Sequence, residues 1–129
     1  MRTERTHGPQ LLDAVLAQGR KALYLFPTKA LAQDQLQALD HWMPDGAVAA
    51  TYVGDSTPEE RLYVRSNARA LLTNPEMLHH GILSNHARWA AFLHDLRVVV
   101  VDELHTLRGV CGTHVAQILR RLRRLVLHY

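Results

Sequence analysis

The chain has 129 residues, enough for one domain with a real core, and 47% of them are apolar, which excludes a disordered chain. Fifteen Lys and Arg against twelve Asp and Glu give a formal charge of +3, which permits a nucleic-acid partner without demanding one. A lone cysteine, Cys111, excludes an internal disulfide, no run approaches the roughly 18 apolar residues of a membrane span, and the polar start MRTERTHGPQ is no signal peptide, so a soluble, cytoplasmic protein with no membrane partner is expected.

Residues 1–8 carry no pattern and are expected to be disordered. Pro9 and Gly19 bracket QLLDAVLAQ, whose Leu11, Leu12, Val15 and Leu16 share one helical face. Ala22 to Phe26 is a brief apolar strand closed by Pro27. Thr28 can cap a helix from about Lys29 to Met43, with a mostly apolar stripe of Leu31, Gln35, Leu36, Leu39 and Trp42. Pro44-Asp45-Gly46 is a turn, and Val48 to Tyr52 a second strand. After the loop Gly54-Asp55-Ser56, Thr57 caps a helix opened by Pro58-Glu59-Glu60. Ala70 to Leu72 is a short third strand, Pro75 opens a helix over about Glu76 to Leu83, and Ala87 to Leu93 forms another. The last helix, about Thr113 to His128, gathers Val115, Ile118, Leu119, Leu122, Leu125 and Val126 on one side and Arg120, Arg121, Arg123 and Arg124 on the other. Strands alternating with helices at this rhythm imply crossover connections and a parallel sheet in a single α/β domain.

The stretch from Arg97 to Gly112, RVVVVDELHTLRGVCG, organises the rest. Four consecutive valines without alternation predict a strand buried on both faces. Such strands meet ligands at their carboxyl ends, where Asp102 and Glu103 follow. Two carboxylates there are costly unless a cation meets them, and a metal-bound phosphate is the usual visitor. Taken alone, the pair reads more readily as a helix cap and a first-turn acid.

Asp102-Glu103-Leu104-His105 resembles the DExH form of motif II in superfamily 2 helicases. Pro27-Thr28-Lys29-Ala30-Leu31 is similar to their motif Ia and Thr73-Asn74-Pro75-Glu76 to motif Ib, in family order and at family-like spacing. The run LRGVCGTHVAQILRRLRRL further resembles bacterial DNA helicases of the mitomycin-repair, MrfA-like type, and the likeness covers residues 20–128. It implies a partial RecA-like P-loop NTPase domain with about four parallel strands flanked by helices. Their spatial order would be 97–101, 22–26, 69–72, then 48–52, with an open side on Val98 to Val101. It also implies ATP and Mg2+ as cofactors, Asp102 holding the metal, Glu103 orienting or deprotonating the attacking water, and His105 coupling the nucleotide site to neighbouring motifs. Pro27, Thr28, Lys29, Gly54, Asp55, Thr73, Asn74 and Pro75 would line a nucleic-acid track, for DNA rather than RNA.

Plainer roles stand beside these. Thr28 and Asn74 are good caps, Lys29 is an ordinary solvated residue, and Cys111 is a packing residue. His79, His80 and His86 have no obvious cysteine or acidic partners for zinc. The arginine cluster is expected to be solvated and to complement the helix dipole. No GxxxxGK[ST] occurs, and the family's Ser-Ala-Thr motif III and second RecA-like domain are not in the sequence. The expected protein is therefore an interior piece of a helicase motor, inactive without the missing remainder. The alternative is a non-catalytic nucleic-acid-binding or interaction module.

Overall fold

A computed structural model describes residues 2–4, 17–40, 43, 46–54, 57–101 and 110–129, side chains of 2–4, 29, 40 and 110–114 excepted. Five strands form one sheet in the order β1-β5-β2-β4-β3: β1 Arg2–Glu4, β2 Lys21–Leu25, β3 Val48–Tyr52, β4 Ala68–Thr73 and β5 Leu96–Val101. Every pairing is parallel. The valine run dictates an interior strand. Val99 and Val101 enter the core on one face and Val98 and Val100 on the other, none more than 5% exposed. The four strands read from the sequence take the expected order. Arg2–Glu4 correct two expectations: they pair with Val98–Val100 on the side of β5 expected to be open, and these three residues are strand where disorder was expected through residue 8.

The helices are α1 Lys29–Asp40, α2 Pro58–Asn67, the composite α3, α4 Ala90–Asp95 and α5 Val110–His128. α3 starts as Pro75–Met77, widens into a π-helical Leu78–Ile82 and tightens into a 3₁₀ turn, Leu83–Asn85. Side chains complete hydrogen bonds at these irregular turns: Ser84 Oγ donates to the His79 carbonyl at 3.0 Å and Asn85 Nδ2 to the Gly81 carbonyl at 3.1 Å. The widened turn presses on the end of β3, because a Cβ added at Gly81 would stand 3.0 Å from a ring carbon of Tyr52. The helix read at Leu11 to Leu16 lies outside the described residues. Its stop signal does not, since Gly19 takes a φ of +79° just before β2, a conformation that suits glycine.

Periodicity places the two cores. Leu23, Leu25, Leu71, Val99 and Val101 face a large cluster closed by Leu78, Leu83, Trp89, Phe92, Ile118 and Leu122 from α3, α5 and the α4 region. Trp89 joins it, edge-to-face with Tyr52 at 5.0 Å and Phe92 at 5.6 Å. On the other face small side chains, Ala22, Ala70 and Ala32, let α1 approach the sheet, and Leu39 and Phe26 fill the space. Across the amino ends of the strands runs a charged row the sequence did not announce: Arg20 pairs with Asp95 at 3.3 Å, Arg69 Nε donates to the Arg20 carbonyl at 3.2 Å, and Lys21 lies 5.5 Å from the Phe92 ring centre.

Burial pushes the Lys21 ammonium below its usual range; Asp95 pulls the other way and Arg69 adds to the lowering. The folded form thus disfavours the charged lysine, and the unfolded chain holds its proton to higher pH. Stability is expected to rise as alkaline pH climbs through the folded pKa toward 10.5, and Lys21→Met is expected to flatten that rise. Denaturant midpoints measured across that range check it, a wild-type curve without the rise counting against.

The arginine cluster divides. Arg121 is half-buried, its Nη2 donating to the Leu83 carbonyl at 3.1 Å and its Nη1 to His79 Nδ1 at 3.2 Å, so it clamps α5 to α3 and is not part of the solvated side as the sequence suggested. Arg120, Arg123 and Arg124 remain exposed. Tyr129 is fixed from two sides, its hydroxyl 2.8 Å from His86 Nδ1 and its carbonyl 2.8 Å from His94 Nδ1. His79 and His86 are thereby occupied in packing, and no group of three or more metal-ligating side chains forms among the described residues.

Candidate functional site

Parallel register brings the ends of four strands into one row. Val101 pairs with Leu25, Leu25 with Thr73, and Thr73 with Tyr52, so β5, β2, β4 and β3 reach the carboxyl edge of the sheet together. The segments that leave this row are the ones singled out by motif: Asp102 after Val101, Pro27 to Lys29 after β2, Asn74 and Pro75 after β4, and Gly54 after β3. Two hydrogen bonds tie the row sideways, from the Phe26 N–H to the Thr73 carbonyl at 2.9 Å and from the Thr73 hydroxyl to the Tyr52 carbonyl at 2.6 Å.

Local chemistry then turns the chain into helices at this edge. Thr28 Oγ1 accepts from the Leu31 N–H at 3.2 Å and opens α1; Asn74 Oδ1 accepts from the Met77 N–H at 2.8 Å and opens α3. At α2 the full capping box forms, Thr57 Oγ1 accepting from the Glu60 N–H at 3.1 Å and Glu60 Oε2 accepting from the Thr57 N–H at 3.3 Å. The plain capping roles of Thr28 and Asn74 are therefore filled. Thr28 and Gly54 are exposed, Pro27 and Asn74 half-buried, Thr73 and Pro75 buried. Thr73 holds the edge together, because its hydroxyl is spent inside the protein. Asp55, Asp102, Glu103 and His105 lie outside the described residues, as does the side chain of Lys29.

Thr73→Val is expected to cost about 1–3 kcal/mol, the penalty for leaving the buried Tyr52 carbonyl without its donor, whereas Thr73→Ser keeps the donor and loses less. Urea midpoints of the two variants check this; a larger loss for Thr73→Ser than for Thr73→Val would show that the methyl group, not the hydroxyl, matters.

One cation at this edge escaped the sequence reading. Arg61, on α2, reaches from the helix to the Gly54 carbonyl at 3.4 Å and lies 6.0 Å from the Tyr52 ring centre, while its Nε is buried without a hydrogen-bond partner among the described residues. Only its place four residues after the Thr57 cap could have signalled it, since that position returns to the helix end.

Comparison with known proteins agrees with this geometry. The model of the DEAD/DEAH box helicases matches residues 9–128. The chain is 55% identical over 108 residues to the ATP-dependent helicase HRQ1 of Saccharomyces cerevisiae, covering 80% of this chain and 10% of that protein. Over 124 residues it is 44% identical to the uncharacterised ATP-dependent helicase YprA of Bacillus subtilis, covering 94% and 17%. The crystal structure of the DUF1998 helicase MrfA bound to DNA and AMPPNP superposes with a TM-score of 0.86 at 40% identity, covering all of this chain and 20% of that one. The chain thus spans between a tenth and a fifth of the length of these relatives.

Proposed function

Since the chain belongs to the DEAD/DEAH box helicase family, we propose that it forms part of the first RecA-like motor domain of an ATP-dependent DNA helicase. The supporting observation is the row Val101, Leu25, Thr73, Tyr52, which brings to one edge the ends of the strands that precede the three motif segments in sequence. Directly beyond the buried end of β5, Asp102 and Glu103 offer carboxylate oxygens only, the donor set that suits a hard cation such as magnesium. Asp102 would hold the ion against the nucleotide phosphates, and bound magnesium-ATP supplies the phosphoryl group that is transferred. Glu103 orients the attacking water or takes its proton, and His105 links that event to the neighbouring motifs.

Along the same edge Thr28, Lys29, Gly54 and Asn74 position a nucleic-acid strand by its phosphates, with the start of α1 presenting backbone N–H groups, and Asp55, next in sequence after Gly54, belongs to the same proposed track. Pro27, Thr73 and Pro75 shape that edge, and Arg61 adds a cation behind Gly54. DNA is the partner this reading favours, in line with the DNA-bound MrfA structure. A cytoplasmic location is part of the proposed reading; as a separate fact, no helix among the described residues is long and apolar enough to cross a membrane. Alone, the 129 residues are not expected to hydrolyse ATP, because no GxxxxGK[ST] is present to cradle the β and γ phosphates.

Anisotropy of a labelled single-stranded oligonucleotide tests the binding. The chain is expected to bind with a Kd of roughly 10⁻⁴ M or weaker at physiological salt, and Lys29→Ala to reduce the slope of log K against log salt by about 0.7. Indifference of that slope to both Lys29→Ala and Arg61→Gln would remove the edge as a nucleic-acid surface.

A further inference from the structure

α5 runs from Val110 to His128 without a single Asp or Glu. Set aside its four arginines, and the chain's fifteen Lys and Arg no longer outnumber its twelve Asp and Glu. The positive balance of the molecule is thus concentrated on one helix.

The helix dipole does not account for it. Dipole effects fade within the last turn, and the basic residue of that turn is His128, while Arg120 to Arg124 lie upstream. Nor is every arginine needed for packing. Arg121 alone turns inward, to Leu83 and His79. Arg120, Arg123 and Arg124 make no hydrogen bond or ion pair among the described residues, and with Gln117 they line an open hollow of about 520 Å³. These positions fall at i, i+3, i+6 and i+7, and Arg120 faces Arg124 one turn on, a like-charge spacing that destabilises a helix unless an anion intervenes. From Gln117 to Arg124 the helix rises about 10 Å, the length over which one strand of duplex presents roughly three phosphates.

We infer that the outer face of α5 is a second nucleic-acid contact, in which Arg120, Arg123 and Arg124 hold the phosphate backbone and Gln117 adds an amide donor. It is separate from the sheet edge. α5 leads away from the end of β5 toward Leu96, because Tyr129 at its far end bonds to His94. The strand would therefore be met again on the flank of the domain after crossing the edge. The inference rests on the reading of the chain as nucleic-acid-binding, and the test below separates the two.

Anisotropy titrations of the 129-residue chain with a labelled oligonucleotide, repeated over a range of salt, compare three variants. R120Q/R123Q/R124Q is expected to reduce the slope of log K against log salt by on the order of 2, at about 0.7 per phosphate contact on a single strand, and R120K/R123K/R124K to keep most of it. At low salt the glutamine variant is expected to melt no lower than wild type, since it removes repulsion; a lower melting temperature would make the arginines structural and overturn the inference. A slope unchanged by the glutamine variant but lowered by Lys29→Ala also overturns it, and leaves the edge reading intact. If the glutamine variant, Lys29→Ala and Arg61→Gln all leave the slope unmoved, both readings fail. Polyglutamate serves as the probe for an acidic protein partner: loss of its binding in the glutamine variant, with DNA binding intact, would assign the face to protein and overturn the inference.

Discussion

Trp89→Ala is expected to lower the stability of the domain by about 3–5 kcal/mol, a large share of the roughly 5–15 kcal/mol that holds a domain of this size together. Trp89 is 1% exposed and stands between Tyr52 and Phe92, so its removal empties the centre of the larger core and takes away two edge-to-face ring contacts at once. Tyr52 is also the residue whose carbonyl receives the Thr73 hydroxyl, and the loss therefore reaches the carboxyl edge of the sheet. Trp89→Phe keeps a ring in place and is expected to lose less. Urea denaturation followed by far-UV circular dichroism measures both; a loss below about 1 kcal/mol for alanine would mean that the site collapses around the gap.

In a longer helicase carrying this sequence, Glu103→Gln is expected to reduce ATP turnover by about 10²–10⁴-fold while nucleotide binding persists, because on the proposed reading only the group that orients or deprotonates water is changed. Asp102→Asn, by contrast, is expected to weaken magnesium-dependent nucleotide binding itself. Turnover and nucleotide affinity measured side by side separate the two roles, and a Glu103→Gln enzyme at wild-type rate would assign water activation elsewhere.

The sheet was legible because its signals are local and redundant. A valine run without alternation has no comfortable place except a strand covered on both faces, and Val98 to Val101 occupy one. The Thr28, Thr57 and Asn74 caps were visible for the same reason, each a short polar side chain followed directly by a helix. What stayed hidden depends on distant partners. Arg2–Glu4 look like any charged terminus, and only the bare side of β5 makes them a strand. Arg121 is indistinguishable from Arg120 in sequence; the carbonyl of Leu83, on another helix, decides which of them turns inward. The π-helical stretch of α3 was invisible too, since HHG carries no pattern and its geometry answers to the Tyr52 ring above Gly81. At the candidate site the sequence named the segments, while register decided which of their side chains face out. Thr73, equal to Thr28 by motif, is buried by it.

The interior position of β5 carries a kinetic consequence. Among the described strands it is the last to be made, yet it lies between β1 and β2, and Val98 must find both Arg2 and Ala22 far back in the sequence. No two strands here are joined by a hairpin, so every pairing closes a long loop before it gains contacts, a topology that folds slowly. Until residues 96–101 emerge from the ribosome, β2 keeps one hydrogen-bonding edge bare and Arg2–Glu4 have no strand to join. That interval is when these strands are most open to wrong pairing, and the chaperone demand of this segment is expected to fall once the valines arrive.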